Sequence, residues 1–198
     1  PAPDGKPRIW QLVPESELAW HAGISFWRGT NRINDTSVGI ELENRGWKKT
    51  SGVKHFTPFE PAQIAALVPL ARDIITRYNI RPENVVAHSD IAPQRKDDPG
   101  PQFPWRQLAL QGIGAWPDPV RVAFYLNGKP RDELVEPKVL LDLLARYGYE
   151  VTDNMTNAQQ KRVIVAFQMH FRPARGDGVA DRETLAIAEA LLERYGQG

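Results

Sequence analysis

The sequence predicts an α/β domain, a mixed β-sheet flanked by helices, followed by a small all-α three-helix bundle. Three observations predict it. A strand, helix, strand order occupies the first part of the chain. Gly112 to Pro119 is rich in glycine and proline and reads as a linker. All six tryptophans precede that linker's end, so aromatic usage changes across it. The division is therefore residues 1–111, a linker over 112–118, and a helical part over 119–198.

Residues 8–13, from Arg8 to Val13, read as a short strand, and residues 18–22 as another. Residues 36–44 give the clearest strand pattern. Val38, Ile40 and Leu42 share one face, and Gly39, Glu41 and Glu43 the other. Thr57, Pro58 and Glu60 supply the cap, first-turn proline and acidic residue of a helix start. Ile64, Leu67, Val68, Ala71, Ile74, Ile75 and Tyr78 continue it as one apolar stripe. Pro69 within the stripe predicts a kink. Residues 84–88 read as a buried strand ending at His88. Beyond the linker, Glu136 and Pro137 open a helix with Val139, Leu140, Leu143, Leu144 and Tyr147 inward. Thr156 and Gln159 form a capping box, and Asp181 caps a further helix. A shorter helix starts at Asp118 and Pro119.

Composition excludes several classes. The 198 residues carry 25 Lys and Arg against 24 Asp and Glu, without the basic excess of a nucleic-acid binder. With no cysteine, disulfide frameworks, thiolate zinc sites and a catalytic thiol are excluded. No apolar run approaches the roughly 18 residues of a membrane span. The chain starts at Pro1 without a leader-like run and reads as a mature or trimmed fragment.

Any zinc site must then come from histidine and carboxylate. His88 is the best placed of four histidines, at a strand end before a polar, proline-rich loop that returns Asp97 and Asp98. Taken alone, His88 reads equally well as a histidine bonded to backbone, and the acidic pair as a solvated turn. Glu41 is a candidate proton carrier if its face is buried. The competing reading puts it on the wet face of a half-exposed sheet. His21, among Trp20, Ala22 and Gly23, suits a ligand groove or a packing turn. His55 and His170 are read as surface or core fillers.

Three stretches carry a resemblance. Trp20-His21-Ala22-Gly23-x-Ser25-x-Trp27-x-Gly29 is the first. Asn34-Asp35-x-Ser37-Val38-Gly39-Ile40-Glu41-Leu42-Glu43-Asn44 is the second. Val86-Ala87-His88-Ser89-Asp90-Ile91-Ala92-Pro93-x-Arg95-Lys96-x-Asp98-Pro99-Gly100 is the third. In this order they resemble the zinc-dependent N-acetylmuramoyl-L-alanine amidases of the amidase-2 family. The resemblance implies the amidase-2 fold, related to peptidoglycan recognition proteins. It also implies hydrolysis of the amide between N-acetylmuramic acid, or its anhydro form, and L-alanine of the stem peptide. Zn2+ would be held by two histidines and one aspartate. By motif His88 and Asp98 are two of these ligands, Glu41 matches the catalytic acid/base, and Lys96 the cation beside the reacting carbonyl. The first histidine of the family falls upstream of Pro1, so the third ligand and the first strand are expected outside this sequence. His21 and Asn34 are expected to contact substrate.

Ala166-Phe167-Gln168-Met169-His170-Phe171, with Gly176-Asp177-Gly178-Val179-Ala180-Asp181-x-Glu183-Thr184-Leu185, resembles a helical peptidoglycan-binding module. The two-part order is most like members that Gram-negative bacteria anchor to the outer membrane as lipoproteins. That implies a periplasmic monomer that acts on peptidoglycan and muropeptides and meets the membrane only through an N-terminal lipid anchor. The alternative is a non-catalytic peptidoglycan-binding protein of the same fold.

Overall fold

The structure is a computed structural model and describes residues 6–196. Its elements run in the order α1 (Ile33–Thr36), β1 (Trp47–Thr50), β2 (Val53–Phe56), α2 (Pro61–Tyr78), α3 (His88–Ile91), α4 (Trp105–Ala109), α5 (Pro119–Leu126), α6 (Pro137–Tyr147), α7 (Asn157–Phe171) and α8 (Arg182–Tyr195). A short 3-10 helix, Pro82–Asn84, precedes α3.

The helices follow their local signals. In α2 the cap is Glu60 rather than Thr57, and Glu60 and Gln63 close a capping box. The helix runs on through Pro69 and ends at Asn79, whose φ of 49° is left-handed. Ile64, Leu67, Ala71 and Ile74 bury its stripe. Tyr78 instead lies half-exposed, and with Arg77 it hydrogen-bonds Glu15, tying the early chain to α2. Asp118 accepts the Val120 N–H at 2.8 Å to cap α5. Thr156 and Gln159 cap α7, and Asp181 accepts the Thr184 N–H at 3.0 Å to cap α8. In α6 the buried positions are Leu140, Leu141, Leu144 and Tyr147, while Val139 is half-exposed.

The strands differ from expectation. Residues 8–13 and 18–22 form no ladder, and Trp10, Leu12 and Trp20 are more than 70% exposed. Of the strand expected over 36–44, Thr36 closes α1 and the remainder forms no ladder either. A strand is stable only when a neighbour takes its backbone hydrogen bonds, and no neighbour flanks these segments among the described residues. Residues 85–87 are likewise unpaired, and His88 opens α3 instead of ending a strand.

The described sheet is the hairpin β1–β2, paired antiparallel from Trp47 with Phe56 to Thr50 with Val53. Ser51 and Gly52 turn it with φ of 50° and 85°, the two positive angles of a type I′ turn. Lys54 on β2 forms an ion pair with Asp97 and lies 4.1 Å over the Trp47 ring. The hairpin therefore borders the loop that follows His88.

One apolar core runs through both parts of the chain. It joins Ala22, Trp27, Ile33, Ile91 and Ala92 to Leu140, Leu144, Tyr149, Phe167 and Leu191. A second cluster packs α2 on Phe103, Trp105, Leu108 and Ile113. Ile113 and Ala115, within 112–118, are buried. Trp27 meets Tyr147 and Tyr149 edge-on at 6.0 and 5.1 Å, and its indole N–H donates to the Glu83 carbonyl. The Arg28 guanidinium donates to the carbonyls of Tyr147 and Tyr195. No described helix is long and apolar enough to cross a membrane.

Candidate functional site

Because α3 begins at His88, the Ser89 N–H is unused by the helix and donates to the Asp98 carbonyl at 3.0 Å. This bond folds the loop back and brings the Asp98 Oδ2 to 3.0 Å from His88 Nδ1. His88 is largely buried and Asp98 half-exposed. On its other side, His88 Nε2 lies 3.2 Å from the Ala22 carbonyl. That oxygen accepts, while the Arg95 guanidinium, a donor only, lies 3.4 Å from the same Nε2, and Nδ1 is the nitrogen facing the carboxylate. The Arg95 guanidinium donates to the same Ala22 carbonyl, and its Nε and Nη2 donate to the Ile24 carbonyl at 2.9 and 2.8 Å. Arg95 thus holds residues 22–24 against the histidine ring.

Charge follows geometry. The hydrogen bond from His88 holds the Asp98 carboxyl below its ordinary range, against the opposing effect of partial burial. The Lys96 ammonium, on the same loop, adds a smaller pull in the same direction. Asp97 turns away to Lys54.

The other expected residues lie on the neighbouring wall. Asn34 Oδ1 accepts the Ala22 N–H at 2.8 Å, so Asn34 holds the residue whose carbonyl meets His88. His21 Nε2 is 3.3 Å from Ser37 Oγ. Its ring packs so closely beneath Gly39 that a β-carbon there would sit 2.6 Å from Nδ1. Only glycine admits that approach. At the far end of the segment, the Gln63 side-chain amide donates to the Glu43 carbonyl at 2.7 Å. Glu41 lies between these two anchors. It is exposed rather than buried, since no strand covers its segment among the described residues. The structure therefore brings His88 and Asp98 into contact, with Lys96 on the same loop, and holds Glu41 on the extended segment between the Gly39 and Glu43 anchors. His21 and Asn34 both engage this chain's own backbone and side chains.

The donor pair suits zinc in kind, one imidazole nitrogen and one carboxylate oxygen. Among the described residues no group of three or more His, Cys, Asp or Glu side chains converges on a metal position. One histidine and one carboxylate are one donor short of the three protein ligands a catalytic zinc takes.

Three residues near the site had no assigned role from sequence. Arg95 and Asp90 fall inside the third motif, which was a signal for them. His170 lies 80 residues from Asp90 yet its Nδ1 is 2.7 Å from the Asp90 carboxylate. No local pattern foretells that contact.

Known proteins bear on this geometry. Residues 2–101 match the N-acetylmuramoyl-L-alanine amidase family, Amidase_2. The chain is 72% identical over 197 residues to the N-acetylmuramoyl-L-alanine amidase AmiD of Escherichia coli K12, covering 100% of this chain and 71% of that protein. It superimposes with a TM-score of 0.96, at 71% identity, on the E. coli AmiD complex with anhydro-N-acetylmuramic acid-L-Ala-D-gamma-Glu-L-Lys, covering all of this chain and 77% of that one. It matches AmpDh3 of Pseudomonas aeruginosa, in complex with anhydromuramic pentapeptide, with a TM-score of 0.88 and 46% identity over 96% of this chain and 74% of that one. These likenesses bear out the expected α/β class and the resemblance to the amidase family. The chain belongs to the N-acetylmuramoyl-L-alanine amidase family.

Proposed function

We propose that the protein hydrolyses the amide between N-acetylmuramic acid, in ordinary or anhydro form, and L-alanine of a peptidoglycan stem peptide, using the loop that carries His88, Lys96 and Asp98. The observation that carries this reading is the His88 Nδ1 to Asp98 Oδ2 approach of 3.0 Å, in a member of this amidase family. The substrate class follows from the anhydromuramyl peptides in the complexes of the two relatives.

His88 and Asp98 would hold Zn2+, together with one donor more than the described residues supply. When bound, zinc supplies an acidified water, of pKa about 7 in place of 15.7, and a Lewis acid for the carbonyl oxygen. The Glu41 carboxylate accepts the proton as the water attacks the lactyl carbonyl of muramic acid. The Lys96 ammonium donates to the oxygen on which negative charge develops. Glu41 then delivers its proton to the departing amine of L-alanine, leaving the glycan carboxylate and a free stem peptide. Ala22 and Arg95 keep the His88 ring fixed throughout, as the outer partners of a ligating histidine do. Through their hold on residues 22 and 39, Asn34 and His21 shape the wall a substrate would meet.

The helical part, residues 119–198, is proposed to bind peptidoglycan and so raise the local concentration of the catalytic part, residues 1–111, on the wall. A periplasmic monomer anchored to the outer membrane by lipid fits that role.

The test is release of free stem peptide from an anhydromuramyl peptide, with and without chelator. The reading expects release that a chelator abolishes and zinc restores. Binding of the muropeptide without release would favour a recognition protein of the same fold.

A further inference from the structure

We propose that the helical part clamps the metal-binding loop through a buried Asp90–His170–Tyr149 triad, making His170 and Tyr149 positioning residues for His88 and Asp98. The inference rests on the reading of His88 and Asp98 as metal ligands.

Asp90 is the third residue of α3 and is fully buried. Its Oδ1 accepts the Tyr149 O–H at 2.6 Å. Its Oδ2 accepts the Ala87 N–H at 2.7 Å and lies 2.7 Å from His170 Nδ1. A carboxylate taken wholly out of water is tolerated only when such donors surround it. Two of the three donors come from beyond residue 118: Tyr149 just after α6, and His170 on α7. The third is the backbone N–H of the residue immediately before His88. Asp90 therefore converts a contact with the helical part into the setting of the first turn of α3.

That turn carries both ligands' geometry. His88 is its first residue, and the N–H of its second, Ser89, fixes Asp98 through the Asp98 carbonyl. If Asp90 loses a donor, the Ala87–Asp90 turn loosens, and His88 and Asp98 drift together from their 3.0 Å approach.

The donors themselves have little freedom. The His170 ring stacks between Trp105 of α4, with centroids 3.9 Å apart and planes 18° apart, and Phe171, at 4.0 Å and 10°. Its Nε2 has no hydrogen-bond partner among the described residues, so the bond to Asp90 is the ring's polar tie. Tyr149 is buried against Trp27 and Phe167. A ring held so firmly can impose its position on a loop.

A merely packed interface would respond to any loss of stability, whereas a clamp responds to loss of these donors. The variants are Tyr149→Phe, which removes one O–H, and His170→Phe, which keeps a stacking ring without the donor. His170→Asn restores an N–H near the Nδ1 position. Val163→Ala, buried in the same core and outside the triad, serves as a control for destabilisation. Two readouts are taken with Tm for each: hydrogen exchange at the Ser89 amide in the metal-free protein, and zinc affinity of the full-length enzyme by chelator competition.

Tyr149→Phe and His170→Phe are expected to speed Ser89 exchange and weaken zinc by about tenfold or more, in the range for outer partners of a metal ligand. Val163→Ala should move neither readout beyond what its Tm loss predicts, and His170→Asn should recover most of the loss. Ser89 exchange that tracks Val163→Ala in both Phe variants overturns the clamp. Tyr149→Phe, the smaller change, decides the matter if His170→Phe does not fold. A wild-type enzyme that takes no zinc would sink the ligand reading, and the exchange comparison would still decide the clamp.

Discussion

At the scale of single residues, the site divides into groups that would act and groups that hold them. Glu41 is exposed and carries no ion pair among the described residues, as a proton carrier open to substrate requires. Glu41→Gln is expected to lower kcat by about 100- to 10,000-fold, the span of general acid–base catalysis, with KM little changed. Lys96→Ala removes a donor to the developing oxyanion and is expected to cost about 100- to 1,000-fold in kcat. Both are read from initial rates of stem-peptide release. Asp98 gives a pH signature in the chelated protein. The His88 hydrogen bond holds its carboxyl below its ordinary range in the folded state, so it adds stability above its unfolded value and loses it as pH falls through the folded one. Asp98→Asn should therefore narrow the drop in urea midpoint between pH 6 and pH 3, and an unchanged drop would count against the His88–Asp98 bond. Glu41, His88, Lys96 and Asp98 could be proposed from sequence because their motifs are contiguous. Asp90 stood in the same motif, yet its role comes from partners at 149 and 170, which only folding brings near.

At the scale of elements, the longer helices were readable, and the short helices and the strands were not. A helix satisfies its own backbone, so Asp118, Thr156 and Asp181 announce starts that the structure keeps. A strand depends on a partner that local pattern does not specify, so the alternation over 36–44 and the short strand read over 8–13 form no ladder. The β1–β2 hairpin was overlooked because Lys48, Lys49, Lys54 and His55 mask any alternation of apolar residues, although Ser51-Gly52 marked its turn. Removing the α7 cap with Thr156→Ala is expected to cost about 1 kcal/mol by chemical denaturation. At Gly39 the element meets the site. A methyl group there collides with the His21 ring, so Gly39→Ala is expected to destabilise the fold by about 1–3 kcal/mol. It should also lower kcat, because the segment it displaces carries Glu41.

At the scale of the whole molecule, one core spans the catalytic and helical parts. Trp27, Ile91 and Ala92 share a cluster with Tyr149, Phe167 and Leu191, and Arg28 is hydrogen-bonded to the last carbonyls of α6 and α8, those of Tyr147 and Tyr195. A glycine- and proline-rich stretch over 112–118 suggested separable units, but Ile113 and Ala115 within it are buried. Calorimetry is therefore expected to show a single cooperative transition. Phe167→Ala, about 3–5 kcal/mol destabilising, should lower that transition as a whole. Two resolved transitions, with only the helical one shifted, would contradict the continuous core.

The central claim is that the loop of His88 and Asp98 cuts the amide joining muramic acid to L-alanine. Mass spectrometry of an anhydromuramyl tripeptide incubated with the full-length enzyme tests it most directly. The account predicts two new species, the free L-alanyl peptide and anhydro-N-acetylmuramic acid, from the wild type with zinc and neither from His88→Ala. Equal amounts of both products from His88→Ala, in a variant shown to be folded, would contradict it.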